Sequence, residues 1–167
     1  MIEQALPNAL STLTGQVIYG DPEMPGWIAS RYWALFVGVM ATRGLAEEER
    51  SMTDVVGEFL RRPRTPVSEA YPLRVPFAVG PPRQWGQAVF IADGVSTVID
   101  PRLLNCLRGL TPVRLGEGYK APIGGVDADG DVVAVLMPRD EKPGDWKKTP
   151  SRAEEEAAAT AADGAPL

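Results

Sequence analysis

The chain has 167 residues, 44% of them apolar, with a net charge of −5, one cysteine and no histidine. That length implies one domain with a real core, since a domain of roughly 150 residues buries about two-thirds of its unfolded surface. The composition excludes an internal disulfide, a cysteine-based zinc site, every Ser-His or Cys-His catalytic pair and a surface basic all over. In chain order, Leu6 to Gly15 reads as a short helix: Pro7 suits its first turn, Leu6, Leu10 and Leu13 share one face, and Gly15 sits just past its end. Gln16 to Tyr19 is extended, and Asp21 to Gly26 is turn chemistry. Trp27 to Ala41 is aromatic and β-branched, so it reads as one long strand or two short ones, with a helix as the rival. Ala46 to Leu60 reads as a helix, because Glu47, Glu48 and Glu49 come early and Arg61 and Arg62 late, as the helix dipole favours.

Pro63 to Pro82 is rich in proline and reads as extended connection or edge strand. Gln87 to Ala92 and Val95 to Ile99 flank Asp93-Gly94, a strong two-residue hairpin signal. Asp100 to Leu110 is the best-punctuated helix, with Asp100 as N-cap, Pro101 opening it, and a stripe of Leu103, Leu104, Leu107 and Leu110. Pro112 to Leu115, Ala121 to Val126 and Asp131 to Met137 are strands, the last two joined at Asp129-Gly130. After Pro138 the chain becomes charged and then rich in Ala and Glu, with no large apolar residue beyond Trp146 until the last, Leu167. The domain is therefore expected over 1–138, with a disordered tail over 139–167. Both parts are net negative.

The unit Leu6 to Gly15 matches Asp100 to Gly109 in its Pro, Leu, Leu and Gly at equal offsets. This suggests an internal duplication, and ordinary amphipathic helices explain it equally well. The expected fold class is α+β: an antiparallel sheet with two short helices on one face, related by approximate two-fold symmetry. No apolar run approaches the roughly 20 residues of a membrane span. Met1-Ile2-Glu3-Gln4 lacks the basic-then-apolar order of a signal peptide, so a cytoplasmic location is expected.

Few residues carry a chemical signal. Asp127-Ala128-Asp129-Gly130-Asp131 resembles the start of a calcium loop, but Val132 and Pro138 stand where that loop needs glycine and a bidentate glutamate, so a hairpin turn is expected. Cys106 lies among leucines with no histidine to activate it and reads as structural. Glu47, Glu48 and Glu49 read as a solvated helix start. No catalytic residue, cofactor or metal is expected. Arg61, Arg62, Arg64, Arg102 and Arg108 are the candidate phosphate contacts. In an α-helix, Arg102 and Arg108 would lie about 240° apart at roughly 100° per residue, flanking the apolar stripe rather than forming one row. Trp146, a large aromatic in a polar segment, is a candidate docking point.

Ala134-Val135-Leu136-Met137-Pro138-Arg139 resembles the closing segment of the bacterial DNA polymerase sliding clamps (the β subunit), a family whose last strand ends in a Val-x-Met-Pro-x-Arg pattern. Val98 to Leu104 resembles the strand-into-helix step at which a proline opens that family's inner helix. Pro112 to Gly116 resembles the strand that follows it, and Gly26 to Ser30 a further strand. The likeness implies a single-domain, phage-like version of the clamp, with an insertion at 44–70. It implies a DNA-replication accessory that acts by binding. Its partners would be double-stranded DNA, contacted without sequence preference by Arg102 and Arg108, and replication proteins, contacted at Met137, Pro138 and Trp146. One domain cannot encircle a duplex, so a homo-oligomeric ring is implied. The alternative is a small protein-interaction or assembly module of unrelated α+β fold.

Overall fold

Ile18 and the extended residues after it lead into the first strand, next to one edge of the large sheet. The computed structural model describes residues 17–75 and 83–139. Its strands are β1 (Tyr19–Gly20), β2 (Trp27–Ala29), β3 (Trp33–Phe36), β4 (Glu48–Glu49), β5 (Arg64–Pro66), β6 (Glu69–Val75), β7 (Arg83–Ala92), β8 (Val95–Val98), β9 (Thr111–Leu115), β10 (Ile123–Val126) and β11 (Val132–Leu136). Its helices are α1 (Val39–Leu45), α2 (Val56–Arg61) and a 3-10 helix, Pro101–Leu107. The fold is mixed α+β, dominated by an eight-stranded sheet in the order β4-β1-β2-β3-β11-β10-β9-β5, with a second sheet of three strands, β6-β7-β8. Every pair is antiparallel except β1 with β4. The two short strands of segment 44–70, β4 and β5, form the two edges of the large sheet.

Both faces of the large sheet are covered, which is why all five residues of β11 are buried and its sequence is a continuous apolar run rather than an alternation. On one face Ile28, Trp33, Leu35, Ile123, Ala134 and Leu136 pack with Phe90 of the small sheet and with Leu103 and Cys106 of the 3-10 helix. On the other, Trp27, Ala29, Ala34, Val113, Leu115 and Val135 pack with Met52 and Val56, and with Phe59 and Leu60 of α2. Three links tie the sheets together. The chain passes from β5 to β6 through Ser68, whose N–H donates to the Ile91 carbonyl (2.8 Å). The Arg139 N–H donates to the Val98 carbonyl (2.8 Å). Arg114, only 4% exposed, spans the gap: its Nη1 donates to the Ala92 carbonyl at 2.6 Å and its Nε to Gly116 at 2.9 Å.

The hairpins form as their turn residues dictate. Asp93 and Gly94 both have positive φ, +50° and +73°, as a two-residue type I′ turn requires. At the β10–β11 turn, Asp127 Oδ1 accepts from the Asp129 and Asp131 amides at 3.0 and 2.9 Å, an Asx-type turn rather than an ion-holding loop.

Four expectations need correction. The apolar run from Trp27 to Ala41 yields β2 and β3 but stops being strand at Phe36, and α1 begins at Val39 after Gly38, whose φ of +91° breaks the extended backbone. The expected helix from Ala46 to Leu60 is helical only over Val56–Arg61. Glu48–Glu49 is a strand instead, because the Glu47 and Glu48 amides both donate to the Ile18 carbonyl (2.8 and 3.2 Å) and the Glu47 carboxylate accepts from the Ile18 amide (3.2 Å). Pairing with β1 outweighs the local helical preference of the glutamates, and it makes β4 parallel where an antiparallel sheet was expected. The segment opening at Asp100 is a 3-10 helix, not an α-helix. The Leu6 to Gly15 helix, and with it the two-fold symmetry, lies outside the described residues, as does the tail beyond Arg139.

Candidate nucleic-acid interface

Asp100 and Pro101 decide how the 3-10 helix begins. Proline fixes its own φ and gives up no useful donor at a helix start. The Asp100 carboxylate accepts the Arg102 amide at 3.0 Å. The hydrogen bonds that follow run from residue i+3 to residue i: Leu103 to Asp100 (2.9 Å), Arg108 to Asn105 (3.3 Å) and Leu110 to Leu107 (3.0 Å). Gly125 lets the end of this segment close on the sheet, since a Cβ there would lie 2.7 Å from Leu110 Cδ1.

With three residues per turn, positions three apart eclipse one another. Leu103 and Cys106 form the buried row. Leu104 and Leu107 form a half-buried row, with Leu110 half-buried past the helix end, and Arg102, Asn105 and Arg108 form an exposed row. The two candidate arginines thus share one face, about 12 Å apart along the axis at roughly 2.0 Å per residue. The expectation that they flank the stripe is corrected, and the cause is the helix type.

Arg102 is already engaged. Its guanidinium forks onto Asp100, with Nη2 to Oδ2 at 2.7 Å and Nε to Oδ1 and Oδ2 at 3.1 and 3.2 Å. The side-chain hydrogen bond from Arg102 holds the Asp100 carboxyl below its ordinary range; burial opposes this, and the charge of Arg139 adds to it. The same bond to Asp100 raises the pKa of Arg102, and Tyr32 contributes to that rise.

Two residues not singled out in the sequence join this end of the sheet. Tyr32, 42% exposed, precedes β3 and accepts the Met137 amide on its carbonyl at 2.8 Å. The Arg31 guanidinium stands 5.2 Å from the Tyr32 ring centroid. Pairing of Leu136 with Trp33, and of Arg139 with Val98, gathers the start of β3, the end of β11 and the end of β8 at one place. Arg31, Tyr32, Asp100, Arg102 and Arg139 therefore cluster there. Only strand register produces this neighbourhood, and no local motif signals it.

The other candidates fall elsewhere. Met137 and Pro138 are half-buried beside this cluster, and Trp146 lies outside the described residues. Arg62 pairs with Glu58 (2.9 Å) and stacks on Phe59 (4.7 Å), and Arg64 donates to the Gly130 carbonyl at 2.6 Å. Phe59 belongs to the opposite face of the large sheet from Leu103, so the arginines around α2 do not join Arg102 and Arg108. Burial pushes the Cys106 thiol up to about 12, which keeps it protonated and unreactive. Glu47, Glu48 and Glu49 line a cleft of about 510 Å³ with Asp21, Val39, Thr42 and Arg43. Asp21 there is satisfied structurally, accepting the Glu23 and Met52 amides at 2.9 and 2.8 Å. No group of three or more His, Cys, Asp or Glu side chains among the described residues is arranged to hold a metal ion. No helix among them is long and apolar enough to cross a membrane.

A second surface is apolar. Phe36, Val39 and Met40 are 39%, 49% and 79% exposed, and Phe36 lines two adjoining grooves of about 700 and 350 Å³ with Leu110, Val126, Val133 and Leu60. No family model, curated protein or solved structure matches the chain.

Proposed function

We propose that the protein acts by binding, as a clamp-like accessory to DNA replication whose Arg102–Asn105–Arg108 face lies along the phosphate backbone. The observation that supports this reading is the 3-10 register, which sets the two arginines in one exposed row long enough to follow several phosphates of a strand, at roughly 3.4 Å each. Such contacts position a protein without reading sequence, so binding is non-specific. The finer likeness to a clamp domain, the homo-oligomeric ring and the replication partners at Met137, Pro138 and Trp146 belong to the same proposal. A titration of labelled duplex at two salt concentrations tests it. Affinity should fall steeply with salt, and replacing Arg102 and Arg108 together with alanine should flatten the log–log slope by about 2. No binding at low salt, with a monomeric solution mass, would remove the reading.

One observation favours a second reading, a protein-interaction module. No residue of α1 is buried, and the apolar side chains of Phe36, Val39 and Met40 are each exposed. Exposed apolar side chains of this kind are more in keeping with a protein contact than with a phosphate backbone. A monomer that fails to bind duplex but captures a partner through Met40 would decide for this alternative.

A further inference from the structure

Tyr32 is an aromatic residue with 42% of its surface exposed, and the charge of Arg102 lies close enough to interact with it. Arg31 stacks on it at 5.2 Å. The Arg139 backbone is pinned to Val98, two residues before Asp100, and Asp100 holds Arg102 in a fork. From there the exposed row runs on through Asn105 to Arg108. A flat ring flanked by guanidinium groups, continuing into a cationic track, combines the two elements used to hold an unpaired strand: a face on which a base stacks and charges that follow its phosphates. A duplex cannot use the ring, because its bases are stacked on one another and only its backbone and groove edges are presented.

We propose that the preferred ligand of this surface is single-stranded DNA, with one base stacked on Tyr32 and the adjoining phosphates on Arg31, Arg102 and Arg108. This rests on the nucleic-acid reading above and narrows its ligand. Asp100 is the competitor built into the site. Its carboxylate occupies the bidentate face of Arg102 that a phosphate would take, with contacts of 2.7 to 3.2 Å, so the strand must displace it or bind Arg102 from its free side. Asp100→Asn removes that competing charge while keeping a residue type that caps a helix start as well as aspartate does.

The test is fluorescence anisotropy with a labelled twelve-nucleotide (~12) oligo-dT and a duplex of equal length, at low and moderate salt, on the full chain. The single strand should bind more tightly than the duplex. Tyr32→Ala should weaken the single strand about tenfold, the effect of losing one stacked base, and leave duplex affinity within about twofold. Asp100→Asn should tighten both ligands. Circular dichroism of both variants checks the fold; Tyr32 is exposed and the asparagine retains the cap, so each should melt as a folded protein. A duplex bound as tightly as the single strand, or a single strand indifferent to Tyr32→Ala, overturns the inference while leaving the clamp-like reading standing. No binding of either ligand at low salt overturns that reading as well.

Discussion

α1 and the 3-10 helix are each seven residues long, and they are held in opposite ways. The 3-10 helix begins on a side-chain cap and drives Leu103 and Cys106 into the core at 3% and 2% exposure. α1 has no side-chain cap and buries none of its residues, and its Thr42 hydroxyl bonds the Gly38 carbonyl within the helix's own first turn. Residue periodicity explains the contrast. In Pro101–Leu107 the leucines and the cysteine recur at three-residue spacing and meet a sheet, whereas Val39-Met40-Ala41-Thr42 offers small or β-branched residues and one methionine that faces solvent. Each helix also carries one of the two functional readings, the arginine row on the docked helix and the apolar shelf on the loosely held one. Rigid support under a charged row suits a surface that must present fixed positions to a phosphate backbone.

The comparison is broken most severely by Leu103→Ala. Truncating a fully buried leucine costs about 2–5 kcal/mol, so a chemical denaturation curve should shift strongly. Met40→Ala, at the corresponding place on α1, should stay within about 0.5 kcal/mol of the parent. If the two substitutions cost the same, the contrast between the helices is wrong.

The cap is the next largest effect. Asp100→Ala should cost about 1 kcal/mol at neutral pH. Because Arg102 lowers the Asp100 pKa from 3.8, the stabilisation is fully present above that value and is lost as pH falls through the depressed folded value. The stability gap between Asp100→Ala and the parent, measured by denaturation at a series of pH values, should therefore narrow only in acid. A gap that narrowed as pH rose would show that the fork is not its source.

Cys106 gives a finer probe of the docked helix. Its thiol is 2% exposed and its pKa is raised to about 12, so labelling by a thiol reagent should proceed only through opening of the segment. Labelling of the parent should be slow, and Leu103→Ala should accelerate it, while Met40→Ala leaves the rate near that of the parent. Rapid labelling of the parent would mean the 3-10 helix detaches as easily as α1.

Punctuation was legible in the sequence. Asp93-Gly94 sets its hairpin because two adjacent residues can take positive φ there, and Asp100-Pro101 opens a helix because cap and fixed φ act within one turn. Continuous apolar runs such as Val132 to Leu136 marked the central strand, since a strand buried on both faces has no polar side to show. These are consequences of backbone sterics and burial, which act locally. Tertiary pairing decided the rest. Glu48 and Glu49 join a strand because the Ile18 carbonyl is there to accept the Glu47 and Glu48 amides, 30 residues away for Glu48, and no local preference contains that carbonyl. Whether Arg102 and Arg108 share a face depended on whether the segment closed i+3 or i+4 hydrogen bonds, a choice set by how Leu103, Cys106 and Leu110 meet the sheet. The neighbourhood of Tyr32, Arg139 and Arg102 exists only because β3, β8 and β11 end together, and strand register is a property of the assembled sheet rather than of any segment within it.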